Sequence, residues 1–169
     1  MTGKAREVLD DCRIALAMLE EETNLQRWRI TWAGAVALTR AVGHVLDKAD
    51  GASDPKVKRA ANAAYQRWKS NDPEHEIFRF FIESERNNIL KQYQFNIHPL
   101  DAVEVAVRMT LRQEASGEMK SVDTIIPIDE NIYRPVLDGY REGDDARDVL
   151  ADAIEWWERE LRKIEKTRP

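Results

Sequence analysis

The chain has 169 residues, 43% of them apolar and 34% charged, with five tryptophans, one cysteine and a formal net charge of −5. That length and apolar content suit one domain with a core of its own and exclude a disordered segment. A lone cysteine excludes an intrachain disulfide, no apolar run approaches the roughly 20 residues of a membrane span, and the first residues show no signal-peptide pattern. A soluble cytoplasmic protein is the expectation. Charge is uneven: residues 1–71 hold 12 basic and 9 acidic side chains (+3), and 129–169 hold 8 basic and 12 acidic (−4). No stretch is basic enough to be a nucleic-acid footprint on charge alone.

Lys4 to about Glu22 reads as an amphipathic helix, with Val8, Cys12, Ala15, Leu16 and Leu19 on one face. Thr23-Asn24 breaks it and caps a second helix, about Leu25 to Lys48, which turns Trp28, Trp32, Val36, Val42, Val45 and Leu46 inward. Gly34 and Gly43 on this helix each sacrifice about 1 kcal/mol of propensity, and the expected return is close approach of a neighbour. Asp50-Gly51-Ala52-Ser53 has the composition of a loop. Asp54-Pro55 and Asp72-Pro73 are twin start signals, an N-cap acceptor before a proline whose missing N–H is harmless in a first turn. The first opens a helix to about Ser70, carrying Val57, Ala61, Ala64 and Trp68. The second opens a central helix to about Phe95.

After His98-Pro99 the period changes from helical to alternating. Val103, Val105, Val107, Met109 and Leu111 interleave with polar residues, Ala115 to Glu118 supplies a turn, and Met119 to Ile128 returns as a second strand. An isolated hairpin is marginal in water, so its apolar face should lie on the helices. Pro127 restricts the return strand to an edge or ends it. Residues 129–143 read as an irregular connector, with Tyr133-Arg134-Pro135 in a solvated loop. Asp144 caps a last helix to about Lys166, whose core stripe is Val149, Leu150, Ala153, Ile154, Trp157, Leu161 and Ile164; Trp156 on its shoulder is a candidate exposed anchor. The fold class is mainly α: a four- to five-helix up-and-down bundle, one domain over 1–169, with a β-hairpin at about 103–128 inserted before the last helix.

The three histidines, His44, His75 and His98, have no metal-ligand spacing, and there is no phosphate-cradling glycine loop or nucleophile elbow. No metal and no cofactor are expected. Polar chemistry concentrates in the central helix instead. Phe78, Phe81, Ile82, Ile89 and Tyr93 make an apolar stripe that contains Glu85, and Arg86, Asn87, Asn88 and Lys91 follow it. A carboxylate in such a stripe must be paired, because burying it alone costs several kcal/mol. Arg40 and His44, one turn apart on the second helix, are candidate partners from across the core.

Arg86-Asn87, late in a core helix of a helical bundle, resembles the start of the HEPN family signature: an arginine, often followed by asparagine, then a histidine little more than a turn further on. Many HEPN proteins are metal-independent ribonucleases or defence components, and others are non-catalytic. The resemblance spans about 25–95 plus the last helix and implies that Arg86 contacts phosphate, with homodimers paired around the motif helices. Lys91, Gln92 and Tyr93 stand where the histidine would, and His98 lies beyond the helix. A lysine is almost wholly protonated at pH 7 and is a poor base, so Lys91 suits a second phosphate contact better. The expected function is therefore a non-hydrolytic relative whose cluster of Glu85, Arg86, Asn87, Lys91, Arg40 and His44 contacts RNA or nucleotide phosphate. If the protein cleaves, Arg86, Asn87 and Lys91 are the catalytic candidates. The alternative is a protein-interaction or structural module in which Glu85 and Arg86 form a purely structural ion pair.

Overall fold

The first helix, α1 (Gly3–Glu21), packs its Ala5, Leu9, Cys12, Ala15 and Leu19 ridge along α2 (Leu25–Val45). The structure, a computed structural model, describes residues 2–97, 103–112, 117, 119–129, 131 and 133–166. Asn24 opens α2 by accepting the Arg27 N–H at 3.0 Å. The helix does not end near Lys48. It widens into a π-helical turn, Leu46–Asp50, and closes with one α-turn, Gly51–Ser53. Asp50 to Ser53 is thus helix, not loop, and the reason is tertiary. Asp50 is buried, and its two carboxylate oxygens accept the N–H groups of Lys4 and Ala5 at 3.0 and 2.9 Å, closing the N-terminus of α1.

Both Asp-Pro signals act where the sequence puts them. Asp54 accepts the Lys56 N–H and opens α3 (Pro55–Trp68), and Asp72 accepts the Glu74 N–H ahead of Pro73. The central segment is less regular than its period suggests. A 3-10 turn (Pro73–His75) leads into a π-helical stretch (Ile77–Glu83), and only then comes α4 (Ser84–Gln92). Phe78, Phe81, Ile82, Glu85 and Ile89 are buried as the stripe requires. Tyr93 is not: it takes a left-handed backbone (φ 52°) that stops α4 and leaves its side chain 65% exposed.

Two antiparallel strands, β1 (Val103–Arg112) and β2 (Met119–Asp129), form the hairpin, with Val105 opposite Ile126 and Met109 opposite Val122. The register slips between Val103 and Glu104, beside the position that pairs with Pro127. The expected turn at Ala115 to Glu118 lies outside the described residues apart from Gly117, as does His98. The hairpin does not lay its apolar face on the helices. Val105, Met109, Leu111 and Ile126 remain 37–53% exposed, while Arg108 and Asp123 pair at 2.7 Å on the other face.

The connector is not a solvated loop throughout. Arg134 is buried with its guanidinium 5.2 Å over the Trp28 ring, and Val136 and Ile97 bridge as a short antiparallel pair. Asp145, one residue after the expected cap, accepts the Arg147 N–H and starts α5 (Ala146–Lys166). Trp156 is 1% exposed and is no surface anchor. Its ring joins Trp68, Trp157 and Phe78 in a cluster with centroids 4.8–6.0 Å apart. Among the described residues the protein is a mainly α bundle of five helices with a β-hairpin before the last one, and none of its helices is long and apolar enough to cross a membrane.

Of the two glycines on α2, only Gly43 serves close packing. A Cβ there would lie 2.9 Å from Cη2 of Trp157, whereas one at Gly34 would meet nothing within 4 Å. Salt bridges then tie α1 to α5: Arg6 reaches Glu158 and Glu165, and Arg13 reaches Glu158 at 2.8 Å.

Candidate functional site

Two π-helical stretches, rare in proteins and frequent at functional sites, bracket one polar region. Leu46–Asp50 follows directly on Arg40 and His44, and Ile77–Glu83 directly precedes Glu85 and Arg86. The extra residue in each widened turn re-aims the side chains around it.

Arg40 lies 15% exposed between α2 and the central segment. Its guanidinium is 5.6 Å over the Phe78 ring and 3.6 Å from Glu83, which Lys69 also holds at 2.6 Å. One turn on, His44 has its pKa lowered from the ordinary 6.5, first by partial burial and then by the positive charges of Arg40 and Arg86; Asp47 works weakly the other way. The imidazole is therefore held neutral between two cations. Arg86 is half-buried. Its guanidinium donates to Oδ1 of Asn87 at 3.0 Å, and no carboxylate pairs with it among the described residues. Arg40, His44, Arg86 and Asn87 thus come together.

Glu85 and Lys91 do not join them. Glu85 is buried, and its Oε1 accepts long hydrogen bonds from Trp32 Nε1 (3.4 Å) and the Asn96 N–H (3.3 Å). Burial raises its pKa, and those two donors only partly offset the rise. Glu85 and Arg86, adjacent in sequence, point about 100° apart around the helix and form no ion pair with each other among the described residues. Lys91 is exposed and rotated about 140° from Arg86, so it cannot share a ligand with it readily.

Sequence reasoning missed the space beside this group. A cleft of about 270 Å³ opens between α2 and α3, lined by Arg40, Gly43, His44, Lys48, Asn62 and Tyr65 among others. Asn62 and Tyr65 each stand one position past a member of the buried Ala61/Ala64 stripe, a rim placement that was the available signal. Asp72, Glu74 and His75 bring donor atoms within 4.8 Å of one another, the spacing a metal ion needs. Two of the three are already engaged: Asp72 caps the Glu74 N–H, and Glu74 pairs with Lys163.

No protein-family model, curated protein or solved structure matches the chain. Arg86, which pairs with no carboxylate among the described residues, Arg40, which shares Glu83 with Lys69, and the neutral His44 imidazole form a net positive niche beside the cleft that Arg40 and His44 line. Such a niche favours an anion, and a guanidinium offers a phosphate two parallel N–H donors.

Proposed function

We propose that this chain is a HEPN-like, non-hydrolytic helical protein that contacts RNA phosphate through Arg86, with Arg40 and His44 beside it. The observation that carries the reading is the half-buried Arg86 guanidinium, which no described carboxylate neutralises. A cation held partly out of water without a countercharge is an electrostatic cost that a bound phosphate would relieve. His44 adds a group whose protonation a phosphate would promote. Lys91, exposed and turned away, gives no base at the position where the family signature has histidine. The same reading takes the protein as cytoplasmic and homodimeric; Phe80, Leu90 and Tyr93, all more than half exposed on the segment that carries Arg86, supply an apolar surface for pairing around the motif helix.

Binding of a fluorescent single-stranded RNA, followed by anisotropy at low salt, tests this. Arg86→Ala should weaken binding about tenfold with helical content unchanged, and incubation with RNA in chelator should leave the strand intact. An affinity that Arg86→Ala does not move would remove the basis for the proposal.

A second reading, a protein-interaction module, has its own support. Glu85 is satisfied by Trp32 and Asn96 within the bundle, and the hairpin presents an uncovered apolar face at Val105, Met109, Leu111 and Ile126. Under that reading, polar substitutions on this face, and not at Arg86, abolish partner capture.

A further inference from the structure

The cleft between α2 and α3 is more than a rim for a phosphate contact, because its walls differ in chemistry from one side to the other. Arg40, His44 and Lys48 stand along α2, and Asn62 and Tyr65 face them from α3. Among the described residues two carboxylates bear on the cleft: Asp47, ionised and ion-paired with Lys58 and Lys48, lines it, and Glu83, which Lys69 also holds, lies 3.6 Å from Arg40, so an incoming phosphate shares that guanidinium with Glu83. Tyr65 is 39% exposed, and its ring meets Trp68 and Phe78 nearly at right angles, 85° and 87°. Those edge contacts fix the plane of the ring, and no ring stacks parallel on it among the described residues. The Asn62 amide is exposed and makes no hydrogen bond among them. The floor is closed from beneath, since Trp157 rises to where a side chain at Gly43 would sit.

We infer that this cleft holds one nucleoside monophosphate unit: base stacked on Tyr65, base edge against the Asn62 amide, phosphate toward Arg40 and His44. The assignment deepens the phosphate reading above and rests on it. A volume of about 270 Å³ falls just below the usual range of small-ligand pockets, which leaves room for no more than a single nucleotide unit and excludes a folded strand. An aromatic face, an amide that donates and accepts, and a wall carrying the Arg40 guanidinium and the His44 imidazole are what stacking, edge recognition and phosphate pairing require. The unit comes either as a free mononucleotide or as one residue of a single-stranded RNA.

Four probes separate the possibilities: adenosine 5′-monophosphate, adenosine, inorganic phosphate and a short oligoadenylate RNA, each titrated by calorimetry into the full chain. The monophosphate should bind at least tenfold more tightly than inorganic phosphate. Tyr65→Ala should erase that advantage, Tyr65→Phe should keep it, and Asn62→Ala should reduce it; none should change the affinity for inorganic phosphate. A Tyr65-dependent signal from the monophosphate identifies the free nucleotide as ligand, and the same signal from the RNA alone identifies the strand. Equal binding of monophosphate and inorganic phosphate, untouched by Tyr65→Ala, overturns the base pocket and leaves the phosphate contact standing. Binding of none of the four overturns both.

Discussion

Gly34 and Gly43 lie on the same helix and permit an internally controlled experiment. Alanine in a helix interior is favoured over glycine by about 1 kcal/mol, through backbone entropy that the unfolded chain no longer loses. At Gly34 a new Cβ meets nothing within 4 Å, so Gly34→Ala should stabilise by close to that amount. At Gly43 the Cβ would lie 2.9 Å from Trp157 Cη2, 3.4 Å from its Cζ2 and 3.5 Å from an Arg40 nitrogen. Trp157 cannot retreat, because it is fully buried with ring centroids of Trp156, Trp68 and Phe78 at 4.8, 5.0 and 6.0 Å. Overpacking of this kind costs about 1–3 kcal/mol. Propensity cancels between the two variants, so Gly43→Ala should be about 1–3 kcal/mol less stable than Gly34→Ala. Urea unfolding followed by far-ultraviolet circular dichroism measures the difference directly. Equal shifts of the two midpoints would show that the Gly43–Trp157 contact sets no limit, and the packing argument would fail.

Burial works against ionisation of Glu158, but hydrogen bonds from Arg13 and Arg6 prevail and hold its pKa at about 2; Glu165 is lowered mainly by its bond to Arg6. Both carboxylates bind protons more weakly folded than unfolded, so stability should fall as pH drops from about 4.5 toward 2, and Arg6→Ala should flatten that limb of a urea-midpoint profile. Glu85 has the opposite sign. Its pKa is raised by burial, so the native state keeps a proton that the unfolded chain releases, and stability declines as pH rises above about 4.5. Glu85→Gln should remove that decline and be neutral or stabilising at pH 7; marked destabilisation there would mean that the carboxylate charge is needed. For His44, with its pKa below 6.5, acidification should protonate the imidazole and tighten RNA binding, and His44→Ala should abolish the dependence. A phosphodiester ligand avoids titration of the phosphate itself.

Local rules written within a few residues survived into the fold. The Asp54-Pro55 and Asp72-Pro73 starts, the Asn24 cap and the alternation of Val105, Met109 and Leu111 depend on neighbours in sequence, and each was legible. Features decided by distant contacts were not. Asp50 looked like a loop residue because its partners, the first N–H groups of α1, lie 45 and 46 residues away. The π-helical turns insert a residue without disturbing composition, so the hydrophobic period passed over them. Trp156 sat on the shoulder of an idealised stripe, yet α5 is covered on that side as well by Trp68, Phe78 and His75. The site divided in the same way. Arg40 and His44 were readable as a pair one turn apart and as neighbours of Arg86, whereas the departure of Glu85 toward Trp32 and the cleft against α3 belong to the packing of separate helices.

The dependence of the amino-terminal half on α5 bears on how the chain matures. Arg6 and Arg13 find their carboxylates on this helix, and the central ring cluster takes two of its four members from it. A ribosome that has released residue 145 has exported every other helix, but not the surface against which they close. Synthesis therefore runs well ahead of consolidation, and the nascent polypeptide carries open greasy ridges until the residues of α5 emerge. Slow translation or stalling upstream of α5 would prolong the interval in which those ridges stay uncovered.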